Sequence, residues 1–458
     1  MPTASEARAD PALRRLGWVL IAGLLPVWLD TTVVNVALDN LAGDLNASPA
    51  SIQWVNTAYL LALAMMIPFT GWALARFGAR SLWLACLVVF LAGSVLAGAA
   101  WDVTALIAFR VLQGVGGGLL MPVLQTLLVR VAGPERLGRA MATVGLPAVL
   151  VPIAGPVLGG LIVAHTSWRV VFFINVPLTL IALVLAWRGL PERSGDDRPA
   201  PLDALGLALV SPGLAALLYG LSQTGTPDGF TSPAVLVPLA VGTVLVAAFA
   251  VHALRTRAEP ALDLRLFRVR SFAAAGLLLF LSGLSLFGVM MLLPLYYQQV
   301  RGFTVVQTGL LLVPQGIGSL AVRQAVGRLT DRLGPRPVVL AGVLFASAGM
   351  LVFAQAGPGT ALVPLGIASA VFGAGLSAVT IAVMAGAYQG LTPAQVPHAS
   401  SATRIVQQVG GAFGTAVLAT ALQWPAGFRG AFWWAFAFAL AAVVPAALLP
   451  GATRERPA

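Results

Sequence analysis

Lysine is absent from the 458-residue chain, and histidine and cysteine are nearly absent, with three copies and one copy. Without lysine, the phosphate loop that ends in Lys-Ser or Lys-Thr cannot form, which argues against a pump driven by its own nucleotide-binding domain. The single cysteine, Cys86, has no partner for an intramolecular disulfide. Scattered histidines without a cysteine cluster do not make a metal site. The sequence therefore predicts neither an enzyme nor a cofactor, and the energy source is expected to be a gradient.

Charged residues are also scarce. They make up 9% of the chain, against roughly 25% in ordinary soluble domains, whereas 59% of the residues are hydrophobic and the mean hydropathy is +0.90. A helix that crosses the hydrocarbon layer needs about 20 mainly apolar residues. The chain contains fourteen such segments, which are too long and unalternating for barrel strands. They are residues 17–38, 52–72, 81–100, 103–127, 139–163, 169–187, 204–222, 234–252, 272–297, 304–326, 338–355, 361–385, 402–423 and 430–449.

The arginines indicate the topology. An even number of spans places both termini on one side, and placing them in the cytoplasm puts most arginines in cytoplasmic segments, as the positive-inside rule requires. The exceptions are Arg169, Arg301 and Arg429 outside, and Arg110, Arg323 and Arg404 within spans. The net charge of +11 is thus a topology signal and does not indicate nucleic-acid binding. We predict a multi-pass protein of the cytoplasmic membrane.

Two predicted cytoplasmic loops repeat one another. Residues 71–80 read GWALARFGAR and residues 327–336 read GRLTDRLGPR. The shared positions are Gly71, Arg76, Gly78 and Arg80 in the first copy, and Gly327, Arg332, Gly334 and Arg336 in the second. Parallel repeats suggest a transporter that rocks about a midplane site. The predicted parts are a tail (1–16), an N-terminal six-helix half (17–187), a linker with inserted spans 7 and 8 (188–271), a C-terminal six-helix half (272–449) and a tail (450–458).

Four motifs resemble those of the major facilitator superfamily, and within it the fourteen-span drug:proton antiporters. They are the loop motif at 71–80, RVLQGVGGG at 110–118 in span 4, GPVLGG at 155–160 in span 5 and LDTTVVNVAL at 29–38 in span 1. The resemblance implies an all-α membrane fold with two six-helix halves, spans 1–6 and 9–14, and spans 7–8 inserted between them. It also implies export of drugs or antibiotics in exchange for protons.

The resemblance also implies structural roles for motif residues. The span 5 motif is expected to bring the two halves into close contact through Gly155, Pro156, Gly159 and Gly160. The alternative is that these residues serve packing without any such role. The loop aspartate of the family helps to latch the cytoplasmic helix ends. Asp331 keeps it in the second copy, whereas Ala75 replaces it in the first, which puts the first latch in doubt.

Asp30 is the only one of the 16 acidic residues predicted at membrane depth. A charge there costs roughly 2.5–3.5 kcal/mol on insertion scales, so it implies water, a partner or protonation. Burial disfavours ionised carboxyl groups, which makes proton uptake near neutral pH feasible. We therefore expect a proton site that also attracts cationic substrates. The alternative is a static carboxylate that ties helices together through Asn35 or Arg110.

Arg110 shares one face of span 4 with Gln113, Gly114, Gly117 and Met121, at helical spacing. Glycine allows a neighbouring backbone to approach, and a guanidinium favours the ionised form of a nearby carboxyl group. We therefore expect Arg110 to help Asp30 release its proton. The alternative is an arginine that extends to the outer boundary as an anchor.

The remaining polar and aromatic residues of the spans supply candidates for a substrate cavity. They are Asp30, Asn35, Trp54, Tyr59, Gln113, Phe287, Gln315 and Arg404. Arg323, one turn before Gly327, is expected to extend to the cytoplasmic surface. Alternatively, Arg323 lines the inner vestibule and admits anionic groups.

These observations predict a proton-coupled antiporter that exports small amphipathic organic compounds, such as antibiotics or toxic cations, as a monomer in the lipid bilayer. Export of a lipid or an endogenous metabolite by the same fold is an alternative. A non-transporting receptor and a proton-coupled importer are further alternatives, and the span 5 resemblance argues against the importer.

Overall fold

A computed structural model describes residues 4–132, 137–144, 146–190, 201–225, 229–256 and 258–449. Within these ranges every regular element is helical. The N-terminal half contains α1 (Ala4–Asp44), α2 (Pro49–Met66), α3 (Thr70–Phe77), α4 (Ala79–Gly98), α5 (Val103–Gly118), α6 (Leu120–Ala132), α7 (Leu137–Val144), α8 (Leu146–His165), α9 (Arg169–Phe173) and α10 (Asn175–Gly189). The inserted pair is α11 (Ala204–Ser222) and α12 (Pro233–Arg255).

The C-terminal half repeats this helical arrangement. It contains α13 (Arg270–Leu295), α14 (Val305–Leu333), α15 (Pro335–Ala354), α16 (Leu362–Ala387), α17 (Val396–Leu422), α18 (Gly427–Ala441) and α19 (Val443–Ala447). A π-helical segment, Tyr296–Val300, extends α13, and short 3-10 segments join several of the other helices. The first helix begins at Ala4, well before the predicted start of span 1, so much of the predicted tail 1–16 is helical.

In the part of the chain that the structure describes, twelve stretches are long and apolar enough to cross a membrane. They match the predicted spans except 5 and 10. Helices α8 and α14 occupy those two positions. The end of α14 carries Arg328, Asp331 and Arg332, which makes it less apolar, and the placement of parts of α8 is not described. The fold is therefore an all-helical membrane fold with twelve candidate spans.

The loop repeat is a structural repeat. Gly78 ends α3 with φ = 76°, and Gly334 ends α14 with φ = 79°. These are left-handed conformations that favour glycine, and each allows a sharp turn into the next helix. The two halves thus use the same residue type for the same turn.

Two glycines of the span 5 motif pack against α1. A Cβ atom at Gly155 would collide with Thr32, and one at Gly159 would crowd Val33 and Val36, all on α1 of the same half. A Cβ at Gly160 would meet nothing within 4 Å, and the Pro156 side chain lies outside the described residues. In this state the contacts of Gly155 and Gly159 lie within the N-terminal half, and the expectation that the motif also brings the two halves together stays a prediction.

The C-terminal half repeats this glycine contact. Cβ atoms at Gly410 and Gly414 of α17 would strike the backbone carbonyls of Phe280 and Leu284 on α13. Close backbone approach through small residues stabilises helix pairs in membranes, where the hydrophobic effect does not drive association. Helix α17 therefore packs on α13 as α8 packs on α1.

The halves contact each other at the ends where arginines are abundant, which we call the arginine-rich side. Asp331 of α14 accepts a hydrogen bond from the Gly138 backbone N–H (2.9 Å) and one from the Arg139 Nε atom (2.9 Å) on α7. Added Cβ atoms at Gly138 or Gly327 would clash across this contact. The Asp331 side chain is 8% exposed, and we call its contact with α7 the Asp331 clasp between the halves.

Arg323 strengthens the same closure. Its Nε atom donates to the Ala142 carbonyl of α7 at 2.9 Å, and Nη1 donates to Ser377 at 3.3 Å. The residue is 8% exposed, so the expectation that it extends to the surface is wrong. The carbonyls at the end of α7 attract a cation because they lack partners within the helix and carry the negative end of its dipole. Arg323 therefore binds α7 across the interface between the halves.

The inserted pair is held at the arginine-rich side by Asp203. Its carboxylate accepts from the backbone N–H groups of Gly206 and Ala261 (2.9 Å each) and lies 2.8 Å from the His252 ring. Burial alone would raise the pKa of Asp203, but these hydrogen bonds and the His252 ring together lower it below its ordinary value. Asp203 thus ties the start of α11 to the end of α12 and to the following linker.

Replacing Asp203 with alanine is expected to destabilise the protein by about 2–3 kcal/mol, because a helix cap and a second charged hydrogen bond are lost together. Asp102 provides a matched control, since it caps α5 through the Ala105 N–H (2.7 Å) and holds no second segment. Asp102→Ala is expected to cost about 1 kcal/mol. Thermal unfolding in detergent measures both, and equal effects would contradict the tethering role.

Candidate functional site

A buried charge network lies between the helices of the N-terminal half. Asp30 of α1 is 1% exposed and Arg110 of α5 is 0% exposed. The Arg110 Nη1 atom donates to Asp30 Oδ2 in a direct ion pair. Arg110 also donates from Nε to the Val55 carbonyl at 3.0 Å and from Nη1 to Gln113 Oε1 at 2.7 Å. The predicted proximity of Asp30 and Arg110 is therefore present as a salt bridge.

Amide side chains complete the shell around the carboxylate. Asp30 Oδ1 accepts from Gln113 Nε2 and from Asn175 Nδ2, each at 2.9 Å. Gln113 also donates to Ser94 at 2.8 Å. Both carboxylate oxygens thus have donors, which is what an ionised carboxyl group requires when it is buried.

Three polar atoms beside this network have no partner among the described residues. They are Arg110 Nη2, Asn175 Oδ1 and the Tyr59 hydroxyl. The Arg110 guanidinium lies 3.9 Å above the Tyr59 ring centroid, in cation–π contact. Gly114, one turn beyond Arg110, allows this approach, because a Cβ atom there would strike the Tyr59 carbonyl. The site therefore has spare hydrogen-bonding capacity for a second arrangement.

The predicted cavity residues differ in how far the structure buries them. Asp30, Tyr59 and Gln113 are enclosed in the network and offer no surface to a substrate in this state. Trp54 stacks on Tyr219 of α11, with ring centroids 5.3 Å apart. Trp54 remains exposed beside this contact, so its role as a cavity residue stays a prediction.

The other four candidates keep accessible surface. Asn35 is exposed and accepts from Asn56 Nδ2 at 2.9 Å, so it does not bind Asp30. Phe287, Gln315 and Arg404 are partly exposed on α13, α14 and α17. These four remain candidates to contact a substrate.

The loop motif residues occupy the arginine-rich side. Arg76 and Arg332 are exposed. Arg80 donates to the Trp187 carbonyl at 2.6 Å, near the end of α10. Gly71 lies against the His398 ring at the start of α17. The first loop thus contacts the opposite half through a histidine, at the level where the Asp331 clasp joins the other helix pair.

Asn175 is the direct hydrogen-bond partner of Asp30 that the sequence reasoning missed. It is a fully buried amide that opens α10 in an apolar stretch, FFINVPL. The rule that selected Asp30, a polar side chain at membrane depth, could also have selected Asn175. Among the described residues no group of three or more His, Cys, Asp or Glu side chains could hold a metal ion.

Two helical halves that share a fold, a buried ion pair at membrane depth and closure on one side define a membrane transporter. The sequence profile of the Major Facilitator Superfamily matches residues 20–415, and the chain belongs to this superfamily. Its members are transporters and not enzymes, and they need no cofactor.

Individual members of the superfamily are also similar to this chain. A multidrug resistance protein B homolog of Mycobacterium tuberculosis is 39% identical over 424 residues, covering 91% of this chain and 77% of the relative. The lincomycin resistance protein LmrB of Bacillus subtilis is 30% identical over 400 residues, covering 87% of this chain and 83% of LmrB. The structure of the proton:xylose symporter XylE superposes with a TM-score of 0.66 at 14% identity, covering 95% of both chains, which shows a shared fold.

Proposed function

We propose that this protein is a proton-coupled antiporter that exports small amphipathic organic compounds, including drugs or antibiotics, across the cytoplasmic membrane. It acts as a monomer with fourteen spans, with α8 and α14 as the fifth and tenth. The arginine-rich side, with both termini, faces the cytoplasm. The structure then corresponds to an outward-facing state, because the inter-half hydrogen bonds of the described residues lie on that side.

The observation that carries the proposal is the ion pair of Asp30 and Arg110 in a shell of amides. Ionisable groups within membrane spans mark ion pathways and proton relays. The multidrug and lincomycin resistance relatives support drugs as the cargo. The proton fits the chemistry of Asp30, since Asp30 is the only described acidic side chain buried at membrane depth.

The partner atoms define a route for proton uptake. An ionised carboxylate accepts hydrogen bonds only, whereas a protonated one needs an acceptor. Asn175 Oδ1 has no partner and belongs to an amide that already contacts Asp30. Rotation of this amide would let it accept from protonated Asp30. Arg110 would then lose its counter-ion, which favours helix movement that exposes the pair.

Burial couples this exchange to rocking of the halves. Asp30 has almost no contact with solvent in the observed state, so a proton reaches it only when α1 and α5 shift. One proton that falls through about 100 mV and one pH unit supplies about 3.7 kcal/mol. This energy supports a cargo gradient of roughly several hundredfold.

Flux in proteoliposomes with an imposed pH gradient tests the proposal. Wild-type protein is expected to move lincomycin or a rhodamine dye against its gradient, and a protonophore is expected to stop this movement. Movement that persists without a proton gradient would contradict proton coupling. Flux of lipids or metabolites with no flux of any drug would favour the alternative cargo.

A further inference from the structure

Arg404 occupies a position on α17 that the proton network does not explain. It is partly exposed, and its hydrogen bond goes to Gln407 at 3.4 Å on the same helix. No carboxylate of the described residues forms an ion pair with it, whereas Arg110 and Arg139 each have one. A charge at this depth normally has a partner or faces a water-filled cavity.

The neighbours of Arg404 identify the face on which it lies. Ile405 and Val409 pack against the apolar cluster of the inserted helices, and Gly410 and Gly414 pack against α13. Ser400, one turn before Arg404, hydrogen bonds to Thr126 of α6 at 3.1 Å in the other half. Residues one turn apart share a helix face. Arg404 therefore points toward the N-terminal half, into the cleft between the halves.

A polar seal closes this cleft just below Arg404. It consists of Gln125, Thr126, Tyr388 and Ser400, which are all buried. The Tyr388 hydroxyl joins Ser400 at 3.2 Å and Gln125 at 3.4 Å. Since α17 begins at the arginine-rich side, Arg404 lies about 6 Å beyond the seal, toward the opposite side. It forms the floor of a cleft that is closed beneath it.

An apolar surface lies further along the same face of α17. Gly411 is two turns beyond Arg404, and the Phe287 ring of α13 lies directly over it. Phe287 is partly exposed. The cleft thus combines a guanidinium that has no carboxylate partner among the described residues with an aromatic surface roughly 10 Å above it.

We propose that Arg404 is an anion-recognition site that selects amphipathic organic acids as cargo. The carboxylate or other acidic group of the cargo forms the ion pair with Arg404 that no described carboxylate of the protein forms. The apolar body of the cargo lies against Phe287. A guanidinium forms charge-assisted, often bidentate hydrogen bonds with a carboxylate. Asp30 does not offset this preference, because its charge is neutralised by Arg110 and enclosed. The inference rests on the proposed function for the identity of the cargo, and it differs from the expectation of cationic substrates.

Two dyes that differ in one carboxylate provide the test. Rhodamine B carries a free carboxylate, and its ethyl ester has the same ring system without that charge. Binding is measured by fluorescence anisotropy with the protein in nanodiscs, and empty nanodiscs correct for lipid partitioning. The wild type is expected to bind rhodamine B more tightly than the ester.

The Arg404→Gln variant is expected to weaken rhodamine B binding about tenfold, through loss of a charged hydrogen bond, and to change ester binding less than about twofold. Arg404→Lys should give an intermediate affinity. Arg429→Gln removes an exposed arginine outside the cleft and should change neither dye. Equal losses for both dyes, no loss, or no wild-type preference for rhodamine B would overturn the proposal.

Flux separates this inference from the proposed function. If the wild type prefers rhodamine B in binding but the pH gradient moves neither dye, proton-coupled export fails and the anion site stands. If the gradient moves the ester as well as rhodamine B and Arg404→Gln alters neither, export stands and the anion site fails.

Discussion

Asp30→Asn is expected to abolish proton-driven efflux while substrate exchange down its own gradient persists. Asparagine keeps the size and an acceptor oxygen but cannot bind and release a proton near neutral pH. Asp30 is the carboxylate that Arg110 and two amides enclose, so no neighbouring acid of the described network can replace it. Flux with and without a pH gradient, at equal amounts of protein, measures the effect.

This variant needs a control for folding, because it leaves Arg110 buried without a counter-ion. Removing one partner of a buried ion pair costs about 3–5 kcal/mol. The double variant Asp30→Asn with Arg110→Gln removes both charges and is expected to recover most of the thermal stability, but not the coupling. Gradient-driven efflux by a stable double variant would rule out the pair as the proton site.

The sequence predicted the core of the site because buried charge is rare in membranes. Asp30 was the only acidic residue assigned to membrane depth, and Arg110 was one of three arginines assigned there. The penalty for an unpaired charge in the membrane makes a contact between them favourable. Asn175 was missed because burying an amide in the membrane costs less free energy than burying a charge, so an amide is a weaker sign of a functional site. Its role depends on how α10 packs against α1, which is a tertiary contact.

Side-chain direction limited the other predictions. The sequence assigned Trp54 and Asn35 to a cavity without indicating their neighbours. In the structure the Trp54 ring stacks on Tyr219, and the exposed Asn35 side chain accepts a hydrogen bond from Asn56. The periodicity of a span that is apolar on all sides does not reveal which face meets which helix. Arg323 is a further example. An arginine at this depth can either extend to water or donate to the end of α7, and the sequence does not distinguish the two directions.

The repeated loop motif gave a firmer prediction, because it fixes backbone geometry. Glycine at positions 78 and 334 is needed for a positive φ, and the structure confirms both turns. The contacts after those turns differ between the halves. Asp331 binds α7, whereas Gly71 faces the His398 ring. The equivalence of the two loop sequences therefore indicated a shared backbone turn, but it did not identify the residues that each loop contacts.

Breaking the Asp331 clasp is expected to open the arginine-rich side. The carboxylate is 8% exposed and holds both Gly138 and Arg139, so Asp331→Ala removes two charge-assisted hydrogen bonds from the closed state alone. A net loss of about 2 kcal/mol shifts the equilibrium between closed and open states roughly 30-fold. Both states remain folded, so this change should alter conformation more than stability.

Spin labels report this shift directly. Arg76 and Arg332 are exposed at equivalent turns of the two halves, and Cys86, the only native cysteine, is buried and replaceable by alanine. With labels at positions 76 and 332, Asp331→Ala is expected to increase the population at long distances, whereas Asp102→Ala, on the opposite side, should not. An unchanged distance distribution would show that Arg323 and the polar seal hold the halves closed without the clasp. In that case the replacement of the loop aspartate by Ala75 has little effect on closure, because an aspartate at neither loop position would be needed to keep this side closed.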